Sequence, residues 1–395
     1  MLDSEYETDG PWSPDARASG DRRMMDRAID LAKKAAGCTR PNPLVGAIIA
    51  RDGAILGAGY HERAGGDHAE ARAVADARRN GHGDLSGATV YVTLEPCCHV
   101  GRTGPCADLL VSAGVSRVVC GMTDPDPRVS GGGIARLRAA GIGVETGVRE
   151  AECRALNRPF LKRVTEGLPF VTLKYAMSLD GKTATAAGES RWISSVPSRE
   201  ETHRLRSESA VILCGVGTVL ADDPLLTARI PSRPDAPQPV RVVVDSSLRI
   251  PFDSRVVSTA KKHPTIVACA IPRPEGPSGG KAAALERFGA EVLRVPGADG
   301  RVDLAALFRE LAARGLDSVF MEGGGTVSFS AVSGGLVDRV IAYVSPTLVG
   351  GASAPTPLAG AGFTPLAAAA TLKDVSVSRS GEDIRVEGFV CSRDS

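Results

Sequence analysis

The chain has 395 residues, 43% hydrophobic and 24% charged, so at roughly 150 residues per domain it matches a globular protein of two or three domains and excludes a disordered or collagen-like chain. Its 47 Lys and Arg nearly balance 46 Asp and Glu, and aromatic residues make up only 4%, so neither a cationic surface nor a base-stacking surface for nucleic acid is expected. No apolar run approaches the roughly 18 residues of a membrane span, and the acidic start lacks the order of a signal peptide, which predicts a cytoplasmic protein without membrane association.

The first part of the chain predicts an α/β domain. Residues 1–20 are polar and aperiodic, which predicts a disordered tail. A helical stripe begins at Asp21 and stops at Gly37, and strands then alternate with helices, which indicates a mostly parallel sheet with helices on both faces. The predicted strands are 45–50, 54–60, 89–94, 117–121 and one near Val144, and the predicted helices after the first are 68–79, 106–113 and 134–140.

The alternation restarts after residues 163–169, which we take as a domain boundary. The first domain then covers 21–165 and a second α/β domain covers 166–395. A Pro- and Gly-rich surface loop is predicted at 271–280. The predicted strands of the second domain are 170–177, 210–214, 240–245, 265–270, 291–295 and 318–322, and its helices are 198–207, 281–288, 304–314 and 326–333.

A metal site is the strongest chemical prediction. The segment His68-Ala-Glu70 is followed by Glu95-Pro-Cys97 and, after eight further residues, by Cys106. One imidazole and two thiolates fill three tetrahedral positions of zinc and leave the fourth for water, which is typical of a catalytic site. Zinc lowers the pKa of that water toward about 7, and a carboxylate two residues after the His, Glu70, can carry its proton to a leaving amine.

The spacing of the cysteines leaves alternatives open. Nucleobase deaminases carry Cys-x-x-Cys at this place, so the longer gap leaves Cys98 and His99 as rival ligands. Pro96 favours Cys97 at the start of a helix, where the dipole stabilises a thiolate. The nine cysteines do not suggest a disulfide framework in a chain of this length. Six are predicted as core residues: Cys38, Cys120, Cys153, Cys214, Cys269 and Cys391.

The second domain carries weaker signals of its own. Lys174 lies inside an apolar strand, where an unpaired ammonium is costly. Two glycines, Gly215 and Gly217, precede a helical segment, and the cluster 323–325 lies between a strand and a helix, where a pyrophosphate can dock on a helix N-terminus. The dinucleotide fingerprint Gly-x-Gly-x-x-Gly is absent from these places.

These motifs, together with Arg40-Pro-Asn42-Pro, Gly59-Tyr-His61 and Thr123-Asp-Pro125, resemble the bifunctional pyrimidine deaminase/reductase family of riboflavin biosynthesis. The resemblance implies a cytidine-deaminase-like three-layer domain, in which the long cysteine gap is normal, His68, Cys97 and Cys106 bind zinc and Glu70 moves protons. It also places four residues near the substrate: Asn42, His61, His99 and Arg102. Arg102 suits a phosphate fork. Asp126 stands where the family is expected to carry Asn, which puts a substrate contact there in doubt.

The resemblance continues through most of 169–390, where it implies a dihydrofolate-reductase-like domain. Lys174 and Glu322 are expected to be catalytic, protonating or orienting the sugar carbonyl, and Arg206 and Arg229 to hold the substrate phosphate. The residues implied to contact NADPH are Ala176, Trp192, Thr218, Asp222, Ser246, Gly324, Gly325 and Thr326. The residues implied to contact the phosphoribosyl substrate are Ser190, Arg206, Leu226, Arg229 and Glu322.

The predicted function is therefore a bifunctional enzyme. With Zn²⁺ it deaminates a diamino-phosphoribosylaminopyrimidine, and with NADPH it reduces the ribosyl group to ribityl. Its expected partners are small phosphoribosyl pyrimidines, with no nucleic acid and no membrane, and assembly with further copies of the chain is left open. Two alternatives are a deaminase of tRNA or single-stranded DNA and an inactive zinc fold retained for assembly. The sequence leaves open the path of the intermediate and the face of NADPH used.

Overall fold

The computed structural model describes residues 14–98, 104–127, 129–271 and 280–391. The chain divides into two compact units, Met1–Glu166 and Gly167–Ser395. Of the predicted surface loop at 271–280, residues 272–279 lie outside the described residues. No helix in the described part of the chain combines the length and the apolar character that crossing a membrane requires.

The N-terminal unit is built on a five-stranded sheet in the order β2-β1-β3-β4-β5. Its strands are β1 Gly46–Arg51, β2 Ala54–Tyr60, β3 Thr89–Val92, β4 Arg117–Cys120 and β5 Gly143–Thr146, and its helices are α1 Pro14–Lys33, α2 Ala69–Arg79, α3 Cys106–Ser112, α4 Gly132–Ala139, α5 Glu150–Leu156 and α6 Arg158–Glu166. Strands β3, β4 and β5 are parallel, whereas β1 is antiparallel to both β2 and β3. The Asp52-Gly53 turn joins β1 and β2 as a hairpin, as the sequence predicts, but β1 is also antiparallel to β3, so the expectation of a mostly parallel sheet is wrong here.

Alternation along β1 explains the three layers of this unit. Ala47 and Ile49 pack on one face of the sheet with α2 and α3, while Ile48 and Ala50 pack on the other face with α1 and α6. Successive side chains of a strand point to opposite faces, so the apolar residues of this short strand pack against helices on both faces of the sheet. The predicted α/β class is confirmed.

Helix α1 begins earlier than the sequence predicts. It starts at Pro14 rather than at Asp21, so residues 14–20, predicted as part of a disordered tail, are helical. Proline is compatible with the first helical turn because the amide hydrogen that it lacks has no intrahelical partner there. Asp21 is buried within α1, where its carboxylate accepts hydrogen bonds from Arg117 (2.8 and 2.7 Å) and from the Tyr91 hydroxyl (2.8 Å). This polar contact adds to the apolar packing of α1 on the sheet.

The C-terminal unit contains a nine-stranded sheet in the order β10-β9-β8-β7-β11-β6-β12-β14-β13. Its strands are β6 Phe170–Ser178, β7 Val211–Gly215, β8 Val240–Val244, β9 Thr265–Cys269, β10 Glu291–Arg294, β11 Ser318–Glu322, β12 Arg339–Ser345, β13 Leu372–Ser380 and β14 Asp383–Val390. Its helices are α7 Val196–Glu208, α8 Val216–Asp222, α9 Arg255–Ser258, α10 Gly280–Arg287, α11 Leu304–Ala313 and α12 Gly325–Ser333, with a 3₁₀ turn at Leu366–Ala368. Pairing is parallel from β10 to β12 and antiparallel at β14 and β13.

The parallel part of this sheet positions a site. The carboxyl ends of β6, β11, β7 and β8 lie side by side at one edge, and in open α/β sheets that edge is where ligands bind. The core beneath consists of strand residues such as Leu173, Leu213 and Met321 packed against α11. Strands β12 to β14 were not predicted, and β13 is exposed on both faces, so it lacks the apolar alternation that marks a strand.

Candidate active sites

Three predicted metal ligands converge in the N-terminal unit. His68 caps the start of α2, Cys97 follows β3, and Cys106 is the first residue of α3. His68 Nδ1 lies 3.6 Å from Cys97 Sγ and 3.3 Å from Cys106 Sγ, and the three ligand atoms all lie within 4.8 Å of one another. In tetrahedral zinc coordination the N–S separation is roughly 3.5 Å, so the donor set fits zinc.

Of the two rival ligands, the one that the structure describes, Cys98, does not join this group. Cys98 Sγ instead lies 3.9 Å from the Val129 carbonyl oxygen, and His99 lies outside the described residues, as does Arg102. Of the six predicted core cysteines, Cys120, Cys153, Cys214 and Cys269 are buried, while Cys38 and Cys391 are only half-buried.

Cys97 does not start a helix, contrary to prediction. Residues 95–98 are irregular, and the helix that acts on Cys97 is α3, whose first residue Cys106 donates its N–H to Cys97 Sγ (3.3 Å). A hydrogen bond from the Cys106 side chain, and a second from His68, lower the pKa of Cys97. The thiolate that the motif requires is therefore stabilised by a helix that begins nine residues further on.

Glu70 lies in the first turn of α2 and is only 3% exposed. Burial raises the pKa of Glu70 to about 7, so the carboxyl can both accept and donate a proton near neutral pH. His61 lies beside this group, with its ring centroid 5.6 Å from that of His68. Its Nδ1 donates to the Asp67 carbonyl (3.0 Å) and its Nε2 accepts from the Asn42 amide (3.1 Å), and burial lowers the pKa of His61, which favours the neutral imidazole.

Glu95 organises the segment next to the ligands, a role that the sequence analysis missed. Its buried carboxylate accepts backbone N–H groups on both oxygens: Oε1 from Gly133 (3.0 Å) and Ile134 (3.2 Å), and Oε2 from Gly131 (3.0 Å) and Asp124 (3.2 Å). Three of these charge-assisted bonds hold the start of α4, and the fourth holds Asp124, against the Cys97 segment.

Asp126, the departure from the family pattern, belongs to the segment that Glu95 holds. It is 7% exposed, and its backbone N–H donates to Asp124 Oδ1 (2.9 Å). As for Glu95 itself, its position directly before Pro96 is all that distinguishes it in the sequence from a surface carboxylate.

The C-terminal unit has a cavity of about 980 Å³ at the carboxyl ends of its parallel strands. Most of the predicted cofactor and substrate residues line it: Lys174, Ala176, Ser190, Arg206, Thr218, Asp222, Leu226, Ser246, Glu322, Gly324, Gly325 and Thr326. Two predicted residues do not. Trp192 is 71% exposed and packs over the Arg199 guanidinium (4.5 Å to the ring centroid), and Arg229 Nη1 donates to Thr227 Oγ1 (3.2 Å).

The glycine cluster forms a cradle in this cavity. Gly324 caps α12 with a φ of 83°, and a Cβ there would lie 3.2 Å from the Gly215 backbone nitrogen. A Cβ on Gly323, also at positive φ, would lie 2.8 Å from Thr218 Oγ1. Only glycine allows this close approach, which leaves the N-terminus of α12 open to an anion such as the pyrophosphate of NADPH.

Arg206 and Glu322 form a bidentate ion pair in the cavity wall. Arg206 Nε and Nη2 donate to the two Glu322 carboxylate oxygens (2.8 and 2.5 Å), and Nη1 donates to the Thr227 carbonyl (3.1 Å). Burial alone would raise the pKa of Glu322, but Arg206 outweighs it and lowers that pKa. Arg206 is thus held by Glu322, and both Arg206 and Arg229 donate to Thr227, although only Arg206 lines the cavity.

Lys174 lies next to this pair. Within the described residues its ammonium makes no hydrogen bond or ion pair, and it faces the Tyr343 ring at 5.5 Å. Burial lowers the pKa of Lys174, and Arg206 adds to that effect, whereas Glu322 opposes it. The structure thus places Lys174, with a lowered pKa, in the wall of the cavity.

Comparison with known proteins covers both units. A family described as cytidine and deoxycytidylate deaminase zinc-binding region matches residues 18–122, and one described as RibD C-terminal domain matches 169–386. The riboflavin biosynthesis protein RibD of Actinobacillus pleuropneumoniae is 44% identical over 94% of this chain and 96% of its own length, and that of Escherichia coli is 40% identical over 84% and 89%.

Solved structures agree with these sequence matches. RibD of Acinetobacter baumannii superposes with a TM-score of 0.83 at 35% identity, covering 95% of this chain and all of that one. A diaminohydroxyphosphoribosylaminopyrimidine deaminase/5-amino-6-(5-phosphoribosylamino)uracil reductase from Thermotoga maritima superposes with a TM-score of 0.81, also at 35% identity and with the same coverage.

The two folds and their sites define a bifunctional enzyme in which a zinc-dependent deaminase is joined to an NADPH-dependent reductase. Likeness over nearly the whole chain then decides the particular family. The chain belongs to the RibD family of riboflavin biosynthesis proteins.

Proposed function

We propose that the N-terminal unit hydrolyses 2,5-diamino-6-(5-phosphoribosylamino)pyrimidin-4-one to the uracil and ammonia, and that the C-terminal unit reduces the ribosyl group of 5-amino-6-(5-phosphoribosylamino)uracil to ribityl. The observation that carries the first step is the convergence of His68, Cys97 and Cys106 beside the buried carboxyl of Glu70. The second step rests on the glycine cradle next to Lys174 and Glu322.

In the deaminase, His68, Cys97 and Cys106 would hold the zinc ion, which when bound supplies a Lewis acid that lowers the pKa of water. Glu70 takes a proton from the attacking water and delivers it to the exocyclic nitrogen, which leaves as ammonia while the water oxygen stays on the ring. A pKa of about 7 suits Glu70 to both transfers. The Asn42–His61 hydrogen bond orients polar groups beside the ring of the substrate.

In the reductase, the α12 N-terminus and the glycine cluster would hold the pyrophosphate of NADPH, which when bound supplies a hydride to the sugar carbon. Lys174 donates the matching proton to the ribose ring oxygen, whose bond to C1′ breaks as C1′ takes the hydride, so that the two added hydrogens balance the oxidation of the cofactor. Arg206 keeps Glu322 ionised, and Glu322 in turn orients the sugar hydroxyls and raises the proton affinity of Lys174.

The alternatives receive less support. A deaminase of tRNA or single-stranded DNA would leave the second unit, with its cavity and glycine cradle, without a role. An inactive zinc fold would have no need of the carboxyl of Glu70 beside the ligand group, since that carboxyl is costly to bury.

The Arg206–Glu322 pair yields a prediction that differs from a simple phosphate contact. Arg206→Ala is expected to lower the free energy of unfolding by about 3 kcal/mol, because breaking a buried pair leaves one charge unpaired. We also expect kcat of the reduction to fall at least about tenfold, with a smaller rise in KM. Urea unfolding and steady-state kinetics measure both effects.

The matched control is Arg229→Ala, which removes an exposed guanidinium that does not line the cavity. That variant is expected to change stability by less than about 0.5 kcal/mol. Equal stability of the two variants, together with a rise in KM for Arg206→Ala at unchanged kcat, would contradict this prediction and indicate that Arg206 binds the substrate phosphate.

The proposed function is tested by incubating the purified protein with the diaminopyrimidine substrate and NADPH. We expect one ammonia released and one NADPH oxidised per substrate consumed. Ammonia release without NADPH oxidation would reject the reductase assignment. NADPH oxidation that occurs only when the uracil intermediate is supplied would reject the deaminase assignment. The absence of both reactions would reject both assignments.

A further inference from the structure

The Asn42 loop, residues 39–45, lies between α1 and β1 and carries the residue that the proposed mechanism places beside the substrate ring. Asn42 is half-buried, and its Nδ2 lies 3.1 Å from His61 Nε2. The loop is neither helical nor paired in the sheet, so its position depends on the partners that its backbone groups find elsewhere in the chain. Those partners decide where Asn42 lies relative to the ligand group.

Asn157, between α5 and α6, holds one end of this loop. Its Oδ1 accepts the Leu44 N–H (2.8 Å), and its Nδ2 donates to the Leu44 carbonyl (2.9 Å). The carboxamide thus pairs with both backbone groups of one residue, as a residue of a neighbouring strand does in an antiparallel pair. Asn157 is only 2% exposed, and leaving buried partners without a hydrogen bond is costly, so the two bonds fix Leu44 against this segment.

Arg163, in α6, holds the other end of the loop. Its Nη2 donates to the Pro41 carbonyl (3.3 Å), one residue before Asn42. Asn42 therefore lies between two residues, Pro41 and Leu44, whose backbone groups are both bonded to the segment that α5 and α6 form.

The segment that supplies both contacts lies beyond the part of the chain that carries the zinc ligands. The match to the zinc-binding region ends at residue 122, whereas α5 begins at Glu150. The apolar residues Phe160 and Leu161 of this segment pack into the core that α1 shares with the sheet, which fixes the segment in place. The segment is therefore a support for the Asn42 loop as well as the connection to the C-terminal unit.

We propose that Asn157 and Arg163 are positioning residues of the deaminase, which fix the Asn42 loop and thereby set the affinity for the pyrimidine substrate. The inference rests on the proposed deaminase function. The zinc ligands and Glu70 belong to α2, to α3 and to the segment after β3, so a displaced Asn42 loop leaves the metal group and the proton carrier in place. Loss of either positioning residue therefore weakens substrate binding, while the chemical step keeps its rate.

The test is steady-state deamination by the full chain, with ammonia release followed at increasing concentrations of the diaminopyrimidine. Asn157→Ala is expected to raise KM roughly tenfold and to change kcat less than about threefold, because it removes both hydrogen bonds to Leu44 but no group that acts on the substrate. Arg163→Ala should raise KM roughly threefold, and Arg163→Lys, which keeps a donor, less than about twofold. Zinc content, and NADPH oxidation with supplied uracil intermediate, should match the wild type in every variant.

The matched control is Asp21→Asn, which weakens a buried ionic contact in the N-terminal half of α1, whereas the Asn42 loop follows the C-terminal end of that helix. This variant should lower the midpoint of urea unfolding at unchanged KM. Equal increases in KM for Asp21→Asn and Asn157→Ala would show a general loosening of the unit and overturn the inference.

The remaining outcomes also decide. Unchanged KM in both Asn157→Ala and Arg163→Ala overturns the inference and leaves the deaminase assignment intact. If Asn157→Ala does not fold, a raised KM for Arg163→Ala that Arg163→Lys restores supports the inference, and an unchanged KM overturns it. A wild-type chain that releases no ammonia would reject the deaminase assignment, and the inference would fail with it.

Discussion

Cys97→Ser and Cys106→Ser are expected to abolish zinc binding and ammonia release, whereas Cys98→Ser is expected to retain both. The wild-type chain should hold about one zinc equivalent through two thiolates and one imidazole, and a serine hydroxyl is a far poorer ligand for this borderline-soft ion. The structure distinguishes the two adjacent thiols, because Cys97 Sγ lies 3.6 Å from His68 Nδ1 whereas Cys98 Sγ contacts the Val129 carbonyl oxygen. Elemental analysis of the three purified variants measures the metal content.

The Cys98→Ser variant is the control, because it removes the adjacent thiol from the same segment. Reduction of supplied uracil intermediate should be unchanged in all three proteins, which shows that the variants are folded. Loss of zinc from Cys98→Ser with retention in Cys97→Ser would show that the ligand assignment is wrong.

Glu70→Gln should retain zinc and substrate binding but release ammonia at least about 100-fold more slowly, the usual worth of a positioned general acid-base. Glutamine keeps the size of the buried side chain and removes only its ability to carry a proton. Stopped assays of ammonia measure the rate, and metal analysis verifies that the zinc site is intact.

The reductase half provides the control for Glu70→Gln. When the deaminated uracil intermediate is supplied, this variant should oxidise NADPH at the wild-type rate, because Glu70 belongs to the other unit. A variant that deaminates at the wild-type rate would remove Glu70 from the mechanism. A variant that also fails to oxidise NADPH would show that the two sites do not work independently.

The metal group could be predicted from the sequence because its donors lie in short motifs. His68 and Glu70 share one helical turn, and Cys97 and Cys106 flank one segment, so the spacing of residue types already restricts the geometry. What the spacing does not reveal is the helix responsible: the motif Pro96-Cys97 predicts a helix at Cys97, whereas the thiol is stabilised by the start of α3.

Long-range pairings were beyond the reach of the sequence. Arg206 and Glu322 are 116 residues apart in the sequence. They meet because β11, which ends at Glu322, lies in the sheet beside β7, and α7, which carries Arg206, immediately precedes β7 in the chain. Each residue alone is compatible with a contact to a phosphate or a sugar, so the motif gives no reason to pair them. The same holds for Glu95, whose four backbone partners lie on a segment brought close by the fold.

Burial of a strand did not by itself make it predictable, since β12 is buried along most of its length and was not predicted. Strand β1 alternates between two apolar layers and was recognised, while β13 is exposed on both faces and was missed. The first turn of α1 was missed because Pro14 and Gly20 are read as helix breakers, although proline is tolerated at a helix start.

In the proposed reaction sequence one chain performs deamination before reduction, with one site in each unit. Mass spectrometry of the products, with and without NADPH, distinguishes this order from its reverse. We expect the diaminopyrimidine substrate alone to yield a product in which NH is exchanged for O, and addition of NADPH to convert this product by gain of two hydrogens. Reduced product that still carries the amino group, formed by zinc-free enzyme from the diaminopyrimidine and NADPH at the full rate, would contradict the order of steps and the assignment of the two sites.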